Sequence, residues 1–567
     1  MAAEMAGDLS SLLTTATAHK LNKYDSLRGC RFTRGQFWDV VVLTASDEKQ
    51  AECYKHQLEV KRKRREFPLG VSFHVFADPP GPKIGDGGSV LFTLSELDKL
   101  YGKQLESKHI LLILAGGYSQ RLPSATVLGK LFMALPMGER AYEMLDLKLA
   151  MYMEFPLWFG PGVFVSCSDD IEVYDASQMT MPGANGIVAL AHPSPLHVGT
   201  MHGVYVLNGD TGIQMCRRFL HKPTIEEMHL AGAVLQDLTS NPEEFVYTDS
   251  VYHISPTTSK SLKTLYEQLK PLDCEVDAYG DFLQGLGTEF DLVDTKFTKN
   301  TSKLSDRVIQ VKKHILCCLK GTPLHVLPLD RSKFYHLGTL QEYLHHFTRD
   351  DNFRKELDIV SNSFSSSKPD RVSQSSCVIH SLVDGSVKTG SVVEYSILGP
   401  EVVVGENCVI SGISLNGRAI IPNNTFLHTV SVSKNERSAF VTVFLGISDD
   451  VKKSASSLQE FSSLMMLGRA MSFNLQIWNL DLTDDLFNNP ECGRSLWNAR
   501  LFPMCETMEL SAATSLKMVA AVCEGKKFDI CIDCEHLSLA DVLQRKDDKM
   551  MLAHRKQLVE AVGPKVA

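Results

Sequence analysis

A glycine-containing segment followed by two basic residues is the strongest candidate for chemistry in this sequence. Residues 114–123 contain Gly116 and Gly117 side by side and then Arg121, and Lys130 follows a few positions later. Adjacent glycines let a ligand approach the main chain closely, and exposed N–H groups in such a turn bind anions. Arg121 offers a planar set of donors to phosphate oxygens, and Lys130 adds a compact positive charge. The pattern indicates a phosphate-binding loop, with a tight strand-to-helix turn beside solvated cations as the alternative.

The segment is neither a P-loop nor a dinucleotide-binding fingerprint. A P-loop places a glycine five residues before its Gly-Lys pair and a Ser or Thr directly after it. In this sequence those two positions hold Ser124 and Leu131. The expected phosphate site therefore differs in construction from both motifs.

Four apolar runs predict the strands of an open α/β sheet that would position this loop. They are residues 40–44, 71–76, 109–114 and 163–166. Continuous apolar runs bounded by polar residues are typical of parallel strands buried on both faces. The third run leads directly into the glycines, and ligands of such sheets bind beyond the carboxyl ends of the strands. A helix with Asp47 or Ser46 as its N-cap is expected after the first run.

The character of the sequence changes near residue 361. Residues 361–369 are rich in serine and predict a linker. Beyond them, short apolar steps recur every six residues, in register at Ile397, Val403 and Val409. This period predicts a short left-handed parallel β-helix over 370–450, with an ordinary β-meander as the alternative. Residues 451–567 are expected to form a mainly helical region.

Length and composition limit the classes of protein that the sequence can encode. A chain of 567 residues is too long for one hydrophobic core, so we expect a weakly ordered leader over 1–36 and an α/β domain over 37–360 before the β-helix. The net charge of −9 argues against a nucleic-acid partner, and no apolar run is long enough for a membrane helix. The 14 scattered cysteines and the lack of a signal-peptide pattern predict a cytoplasmic protein of undetermined oligomeric state.

Three motifs, in the same order, resemble those of the sugar-1-phosphate nucleotidyltransferases. Residues 116–123 are similar to the family signature Gly-Gly-x-Gly-x-Arg-Leu-x-Pro, which has a lysine downstream. Residues 221–223, His-Lys-Pro, resemble the Glu-Lys-Pro motif, and residues 334–344 resemble the Trp-x-Asp-x-Gly-Thr segment. The resemblance implies a Rossmann-like nucleotidyltransferase domain with a mostly parallel sheet, and a β-helix after that domain also fits the family.

Two further segments narrow the resemblance to the branch of this family that forms GDP-L-fucose. They are the glycine-rich residues 84–89 and residues 496–503 near the C-terminus. The branch implies GTP and L-fucose 1-phosphate as partners and GDP-L-fucose and pyrophosphate as products. We find no sugar-kinase loop and expect no kinase activity. Another sugar-1-phosphate nucleotidyltransferase, a non-catalytic nucleotide-sensing subunit and a hexapeptide acyltransferase are the alternatives.

The resemblance also implies roles for individual residues at the nucleotide. Main-chain groups of Gly116, Gly117 and Ser119 would cradle the triphosphate of GTP. Arg121 and Lys130 would neutralise the α-phosphate and the leaving pyrophosphate. Because a phosphate monoester is already nucleophilic at neutral pH, the reaction needs positioning and charge neutralisation more than a general base.

A second set of residues is expected to contact the sugar phosphate. Lys222 would orient the phosphate group whose oxygen attacks the α-phosphorus in line. His202 lies in the glycine-flanked segment 199–203 and would contact the sugar or its phosphate. His336 is a further candidate, with a structural hydrogen bond as the alternative role. Asp281 is another, with a surface-loop or helix-cap position as the alternative.

Mg²⁺ is the cofactor that the resemblance implies, and it requires hard oxygen ligands. Asp169 follows the fourth strand at the position of the family's metal-binding aspartate, and we interpret Asp170 as the N-cap of a following helix. The second aspartate of the family is replaced by His336, and a neutral imidazole is a poor ligand for Mg²⁺. Either Asp169 suffices with water and phosphate oxygens, or Asp277 or Asp281 completes the metal site.

The glycine-rich turn at residues 84–89 is the candidate for purine recognition. Gly85, Gly87 and Gly88 would let the base lie against the main chain. Asp86 would accept hydrogen bonds from the N1 and N2 donors of guanine. A plain turn without a ligand is the alternative.

Overall fold

The chain forms two compact units, each built from two stretches of sequence. Unit 1 comprises Met1–Gly117 and Leu145–His336, and unit 2 comprises Tyr118–Met144 and Leu337–Ala567. The continuous α/β domain predicted over 37–360 is therefore divided between the units. The structure is a computed structural model that describes residues 2–137, 142–177, 185–208, 214–236, 244–292, 305–435, 437–489, 493–528 and 534–562.

The helices of the described residues are distributed over both units. In chain order they are α1 (Ala2–Leu27), α2 (Glu48–Lys63), α3 (Gly85–Tyr101), α4 (Pro123–Thr126), α5 (Met144–Tyr152), α6 (Phe155–Phe159), α7 (Leu196–Gly199), α8 (Ile225–Leu230), α9 (Pro256–Leu269), α10 (Gly280–Leu283), α11 (Asp306–Leu319), α12 (Leu340–Thr348), α13 (Asp351–Glu356), α14 (Leu458–Ser462), α15 (Met471–Ile477), α16 (Met508–Glu524), α17 (Leu539–Arg545) and α18 (Asp548–Val562).

The strands are longest in unit 1 and mostly two or three residues long in unit 2. In chain order they are β1 (Val40–Ala45), β2 (Ser72–Ala77), β3 (His109–Leu114), β4 (Ala134–Leu135), β5 (Tyr142–Glu143), β6 (Gly162–Cys167), β7 (Asp170–Tyr174), β8 (Ile187–Pro195), β9 (Gly203–Leu207), β10 (Gln214–His221), β11 (Leu235–Gln236), β12 (Glu244–Ile254), β13 (Leu324–Pro328), β14 (Ser332–His336), β15 (Asn362–Ser363), β16 (Ser366–Ser367), β17 (Cys377–Ile379), β18 (Leu382–Val383), β19 (Ser386–Val387), β20 (Val392–Glu394), β21 (Ile397–Leu398), β22 (Val402–Val404), β23 (Val409–Ser411), β24 (Ser414–Leu415), β25 (Ala419–Ile421), β26 (Thr425–Lys434), β27 (Arg437–Gly446), β28 (Ser454–Ala455), β29 (Met465–Met466), β30 (Arg469–Ala470), β31 (Arg494–Ser495), β32 (Phe502–Cys505) and β33 (His536–Leu537).

Unit 1 contains a 10-stranded sheet in the order β2-β1-β3-β6-β12-β8-β13-β10-β9, with β11 paired to β12. The four strands β2, β1, β3 and β6 are neighbours and mutually parallel. They are the four strands predicted from the apolar runs, so that part of the prediction is confirmed. The carboxyl ends of β1, β3 and β6 consequently lie side by side, where the candidate site is expected.

The other half of the sheet is mixed and not parallel. Strand β12 runs antiparallel to β6 and β8, and β10 runs antiparallel to β13 and β9, although β8 and β13 are parallel. Only six residues join β9 to β10, which is too short for the crossover that a parallel pair requires. The prediction of a mostly parallel sheet therefore holds for β2, β1, β3 and β6 and fails for the other half of the sheet, where most of the described pairs are antiparallel.

Both faces of the parallel strands are buried. Val40 and Val42 belong to one apolar core with residues of α3, α9 and α11, whereas Val41 and Leu43 point the other way and are also fully buried. Helix α2 packs against β1 and β2. The carboxylate of Asp47 accepts a hydrogen bond from the N–H of Gln50 at 2.8 Å, which confirms Asp47 as the N-cap. Burial on both sides explains why these strands are continuous apolar runs.

The first residues form a helix, so the prediction of a weakly ordered leader over 1–36 is wrong. Leu13 and Tyr24 of α1 are fully buried, as are the polar residues Thr17 and Lys20. The Lys20 ammonium donates to the main-chain oxygen of Tyr174 at 2.6 Å and lies 4.1 Å from the centroid of its ring. Because polar residues occupy part of the buried stripe of α1, the sequence lacks the apolar periodicity that identifies a helix.

In unit 2, the chain from residue 362 onward forms three ladders of short parallel strands. The ladders are β15-β17-β20-β23-β26, β16-β18-β21-β24 and β19-β22-β25. Residues that pair within one ladder are 15–17 positions apart, as Cys377 with Val392 and Val392 with Val409. The six-residue steps of the sequence therefore mark the passage from one ladder to the next. Parallel pairing excludes a β-meander for these strands, and the predicted linker at 361–369 forms the first of them, β15 and β16.

The C-terminal part of unit 2 combines helices with short strands. Strands β26 and β27 form a long antiparallel hairpin, which departs from the parallel pairing predicted up to residue 450. Helix α16 packs on β27 and β32, while α17 and α18 lie against β26. None of the helices that the described residues form has the length and apolar content needed to cross a bilayer.

Candidate active site

The turn after β3 is held by the neighbouring strand β1. The hydroxyl of Thr44 accepts hydrogen bonds from the N–H groups of Ala115 and Gly116, at 3.0 and 3.1 Å. A Cβ on Gly116 would lie 3.3 Å from the main chain of Ala45, and Gly117 has a φ of +95°. The close approach leaves little room for a side chain at Gly116, and the left-handed conformation favours glycine at position 117. The two glycines are exposed at the carboxyl edge of the sheet in unit 1.

The signature segment, which we define as residues 116–130, continues in unit 2 through the short helix α4 into Gly129, a second glycine with a positive φ. The main-chain oxygen of Ser119 accepts from the N–H of Leu122 at 3.0 Å and from the hydroxyl of Thr126 at 2.6 Å, which closes the turn before α4. Gly129 has a φ of +95°, and a 3-10 turn over Lys130–Phe132 follows it. The Lys130 side chain is half-buried. The position of this lysine is therefore set by the turn at Gly129.

The third motif meets the signature segment within unit 2. Thr339 is the N-cap of α12, and the N–H of Gly338 donates to the Glu342 carboxylate at 2.9 Å. The N–H of Leu340, the first residue of α12, donates to the main-chain oxygen of Arg121 at 3.0 Å, and the Arg121 side chain is exposed. Two motifs more than 200 residues apart in the sequence are thus joined at the start of α12.

Asp169, Asp170 and His336 form a cluster in unit 1 whose ligand atoms all lie within 4.8 Å of one another. Nε2 of His336 lies 3.3 Å from Oδ2 of Asp169. Asp170 is buried, and its burial together with the negative charge of Asp169 raises the pKa of its carboxyl. Two carboxylates held this close favour a divalent cation, since it would offset their mutual repulsion. The oxygen donors fit Mg²⁺, and the imidazole of His336 is the donor that fits it least.

The interpretation of Asp170 as a helix N-cap is wrong. Asp170 is the first residue of β7, which pairs with β14 in an antiparallel ladder that places Asp170 opposite His336. The third family motif therefore lies beside β7, the strand that follows the fourth predicted strand in the chain. The structure brings His336 to the predicted metal ligand Asp169, a contact that the spacing in the sequence did not reveal.

A second set of carboxylates surrounds the start of α3. Oδ1 of Asp86 accepts from the N–H groups of Gly87 and Ala278, at 2.8 and 3.0 Å. Burial raises the pKa of Asp86, and the charge of Asp277 adds to the increase. Oδ1 of Asp277 in turn accepts from the N–H of Gly280 at 2.6 Å. Among the described residues Asp277 does not belong to the group that contains Asp169, so its role as a metal ligand stays a prediction.

Asp281 has a structural partner. Its carboxylate lies 2.6 Å from the ammonium of Lys312, and the two side chains are 2% and 1% exposed. Oδ2 of Asp281 also accepts from the N–H of Asp277 at 2.8 Å. These contacts hold the segment before α10 against α11. The contact of Asp281 with a substrate stays a prediction.

The glycines at residues 85–88 form the first turn of α3, where Gly85 and Gly87 pack against residues 276–278. A Cβ on Gly85 would lie 2.5 Å from the oxygen of Val276, and one on Gly87 would lie 2.8 Å from the Val276 side chain. A Cβ on Gly88 would lie 2.7 Å from that of Ile84. Close packing thus accounts for the glycines, and their contact with a purine stays a prediction.

Replacing Gly87 by Ala should lower the free energy of unfolding by about 1–2 kcal/mol. The added methyl group would overlap Val276 and Asp277, and the steric cost exceeds the gain of up to about 1 kcal/mol in helix propensity. Denaturant unfolding measures the change. Gly417→Ala is the matched control, because nothing lies within 4 Å of its added Cβ. Equal stability of the two variants would contradict the packing role.

Lys222 follows β10 in a left-handed conformation, with a φ of +48°. Its N–H donates to the main-chain oxygen of His202 at 3.0 Å, so the two predicted sugar-phosphate residues are adjacent. The Lys222 side chain is exposed and His202 is half-buried with its ring 5.2 Å from that of Phe334. A left-handed conformation is unfavourable for a lysine, and such strain is typical of functional positions.

Asp249 belongs to this part of the site and was not predicted. Oδ1 of this buried residue accepts from the N–H of Gly203 at 2.9 Å and lies 3.9 Å from Nδ1 of His202. Burial raises the pKa of its carboxyl to about 7, and the nearby ammonium of Lys222 opposes that increase. A charged residue inside the apolar pattern of β12 was the available signal, because an aspartate is seldom buried without a specific partner.

Cys167, at the end of β6, lies near both sets of carboxylates: the pair Asp169 and Asp170, and Asp86 at the start of α3. Burial raises the pKa of its thiol, and the charges of Asp170, Asp169 and Asp86 increase it further. The thiol lies 3.1 Å from the hydroxyl of Tyr279, which also donates to the main-chain oxygen of Ser250. Asp169, the predicted metal ligand, and Asp86, at the start of α3, therefore both lie close enough to this thiol to raise its pKa.

A second group of possible metal ligands lies in unit 2 and has a simpler explanation. It comprises His345, His346 and Asp350. Nδ1 of His346 lies 2.9 Å from Oδ2 of Asp350, and Oδ1 of Asp350 accepts from the N–H of Phe353 as the N-cap of α13. A hydrogen bond and a helix cap account for this arrangement.

Comparisons with known proteins agree with the three motifs. A family model described as the fucose pyrophosphorylase domain matches residues 102–507. Fucose-1-phosphate guanylyltransferase of Mus musculus is 45% identical over 573 residues, covering 96% of this chain and 97% of its own. The Homo sapiens protein of that name is 43% identical over 574 residues, covering 96% and 94%. The bifunctional fucokinase/GDP-fucose pyrophosphorylase of Arabidopsis thaliana is 24% identical over 554 residues, covering 86% of this chain and 48% of its own.

These matches confirm the resemblance that the motifs predict. The matched region extends over most of the chain and includes the signature segment, the His-Lys-Pro motif and the β7–β14 pair. The regions that match the Mus musculus and Homo sapiens proteins cover nearly all of both chains. The chain belongs to the fucose pyrophosphorylase family.

Proposed function

We propose that this protein is a fucose-1-phosphate guanylyltransferase that forms GDP-L-fucose and pyrophosphate from GTP and L-fucose 1-phosphate. The observation that carries the proposal is the similarity over 96% of the chain to two proteins of that name. The grouping of Asp169, Asp170 and His336, and the contact of the Lys222 main chain with His202, support it. GTP and the sugar phosphate both carry negative charge, so the site must combine cations with main-chain donors.

We propose that unit 1 holds the sugar phosphate and the metal. Lys222 orients the phosphate whose oxygen attacks the α-phosphorus, and His202 beside it contacts the sugar or its phosphate. Asp169 and Asp170 provide carboxylate oxygens for Mg²⁺, and His336 orients Asp169 from the opposite strand. Mg²⁺ bound there would supply positive charge to the nucleotide phosphates. No general base is needed, because the attacking group is already an anion at neutral pH.

The glycines contribute unequally to the proposed phosphate cradle. The N–H of Gly116 already donates to Thr44, so this group is committed to the fold. The cradle therefore begins at Gly117 and continues along the main chain to Ser119. Arg121 and Lys130 of unit 2 are proposed to neutralise the α-phosphate and the leaving pyrophosphate, since both are cations placed by the same segment.

Two broader features belong to the proposal. The three parallel ladders of unit 2 are the strand pairing that a parallel β-helix requires, and we infer that they wind as the left-handed form followed by a mainly helical region. We place the protein in the cytoplasm on the scattered cysteines of its sequence, acting on small molecules without nucleic acid or membrane.

An assay of pyrophosphate release over a panel of nucleotides and sugar phosphates tests the function. With Mg²⁺ present, we expect turnover with GTP and L-fucose 1-phosphate and a kcat/KM at least about 10²-fold lower with UTP or ATP, because buried polar groups reject a base that leaves them unpaired. Removal of Mg²⁺ by EDTA should abolish turnover. Reactions without sugar phosphate are the control.

The assay distinguishes the alternatives. Turnover only with another nucleotide or another sugar phosphate would keep the reaction type and overturn the substrate assignment. Tight GTP binding without turnover for any pair would instead indicate a nucleotide-sensing subunit.

A further inference from the structure

The C-terminal residues of unit 2 contact the signature segment directly. Lys546, between α17 and α18, is 7% exposed. Its ammonium donates to the main-chain oxygen of Val127 at 2.6 Å. Val127 is the C-cap of α4 and lies three residues before Lys130. Lys546 is also outside the region matched by the family model, which ends at residue 507.

Lys546 is anchored independently of that contact. Its main chain forms an isolated bridge with Val432 of β26, and the N–H of Asp547 donates to the oxygen of Ser431 at 2.8 Å. The backbone that carries the lysine is therefore fixed to the end of the parallel ladders. A long side chain on a fixed backbone can hold a distant turn in place.

A second basic residue of the C-terminal region lies beside the same segment. The guanidinium of Arg555 in α18 lies 4.1 Å from the centroid of the Tyr395 ring. Both residues line one small cavity together with Ser124 and Gly129 of the signature segment. Two residues after position 537 therefore lie beside the signature segment: Lys546 at the end of α4, and Arg555 near Gly129.

The chemistry of the Lys546 contact explains why a charged residue is buried there. The last carbonyls of a helix have no partner within the helix, and a cation satisfies them well. Burial of an ammonium is costly unless it is hydrogen-bonded, so a methionine or leucine would fill the space at lower cost if filling were its only role. The donated hydrogen bond is what a lysine adds.

We infer that Lys546 is a positioning residue that holds the turn at residues 127–130 and thereby places Lys130 for the proposed reaction. Strand β26 fixes the main chain of Lys546, and the ammonium of Lys546 binds the main-chain oxygen of Val127. The turn continues to Gly129, whose N–H donates to the main-chain oxygen of Ala125 at 2.9 Å. The inference rests on the proposed function only for its effect on turnover. The effect on the local structure follows from the contacts alone.

Lys546→Met in the full-length protein tests the inference. Lys549→Met is the matched control, because Lys549 is an exposed lysine nearby in the sequence. We expect kcat to fall about tenfold with a smaller change in the KM for L-fucose 1-phosphate, because a displaced catalytic group costs rate. Hydrogen exchange should increase at residues 122–133 and remain unchanged in β1 and β3. Lys546→Arg keeps a donor and should restore protection of this segment.

A double-mutant cycle separates positioning from general destabilisation. If Lys546 acts through Lys130, Lys546→Met in a Lys130→Ala background should have almost no further effect on kcat. Additive effects, or normal exchange at residues 122–133 in folded Lys546→Met, would overturn the inference. Should Lys546→Met be too unstable to study, Lys546→Gln, whose side chain is one atom shorter, replaces it and is compared with Lys546→Arg. An inactive wild-type protein with altered exchange in the variant would count against the proposed function and not against the positioning role.

Discussion

Asp169→Asn should lower kcat by about 10³-fold, equivalent to about 4 kcal/mol of transition-state stabilisation. Asp169 lies with Asp170 and His336 in the cluster that fits Mg²⁺, and an amide carries no charge to hold a cation. The concentration of Mg²⁺ that gives half-maximal activity should rise in parallel. Steady-state kinetics over a Mg²⁺ titration measures both effects.

The same variant should keep its stability. The charge of Asp169 is one of the causes that raise the pKa of the Asp170 carboxyl, so its removal relieves repulsion in the absence of metal. Asp98→Asn removes a carboxylate from an exposed ion pair with Lys263 and is the control for loss of an acidic group. Retention of kcat within tenfold, with an unchanged requirement for Mg²⁺, would remove Asp169 from the metal site.

Lys222→Ala should lower kcat with L-fucose 1-phosphate by about 10²-fold while GTP binding is retained. The ammonium is proposed to align the attacking phosphate, and alignment contributes to the rate of the chemical step. Single-turnover kinetics measures the loss, and equilibrium binding of GTP shows whether the nucleotide site is intact. Lys260→Ala, at an exposed position of α9, is the control for removal of a lysine.

Lys222→Gly separates the side chain from the backbone. Lys222 has a φ of +48°, which glycine adopts without strain, so this variant should be more stable than Lys222→Ala by about 1 kcal/mol. Both variants lack the ammonium and should be equally slow. Substantially higher activity in Lys222→Gly would mean that the backbone, and not the charge, is what the reaction requires.

Much of the sheet could be predicted because its signals are local. Strands β1, β3 and β6 are apolar runs since both of their faces are buried, and β3 and β6 are followed within two residues by Gly116 and Asp169 of the site. The same reasoning failed for α1. Its buried stripe includes Thr17 and Lys20, whose polar character hides the periodicity.

The composition of the site could be predicted only in part. Asp169 follows the fourth predicted strand, and Lys222 is identified by the His-Lys-Pro motif. Asp249 lies within a strand and has no motif, so its contact with Gly203 is visible only in the fold. The role of the Gly85–Gly88 turn was also ambiguous, because glycine serves a ligand and a close main-chain neighbour equally well.

Local sequence patterns were sufficient for strands β1, β2, β3 and β6, the signature segment and the six-residue steps, and the resemblance of the motifs implied the class of reaction. Local patterns were not sufficient for partners that lie far apart in the sequence. His336 faces Asp169 because β14 pairs with β7, Leu340 meets Arg121 at the start of α12, and Lys546 reaches Val127 across 419 positions. The reason is physical: a side chain's type sets which contacts it can make, but packing of the whole chain decides which partner is within reach.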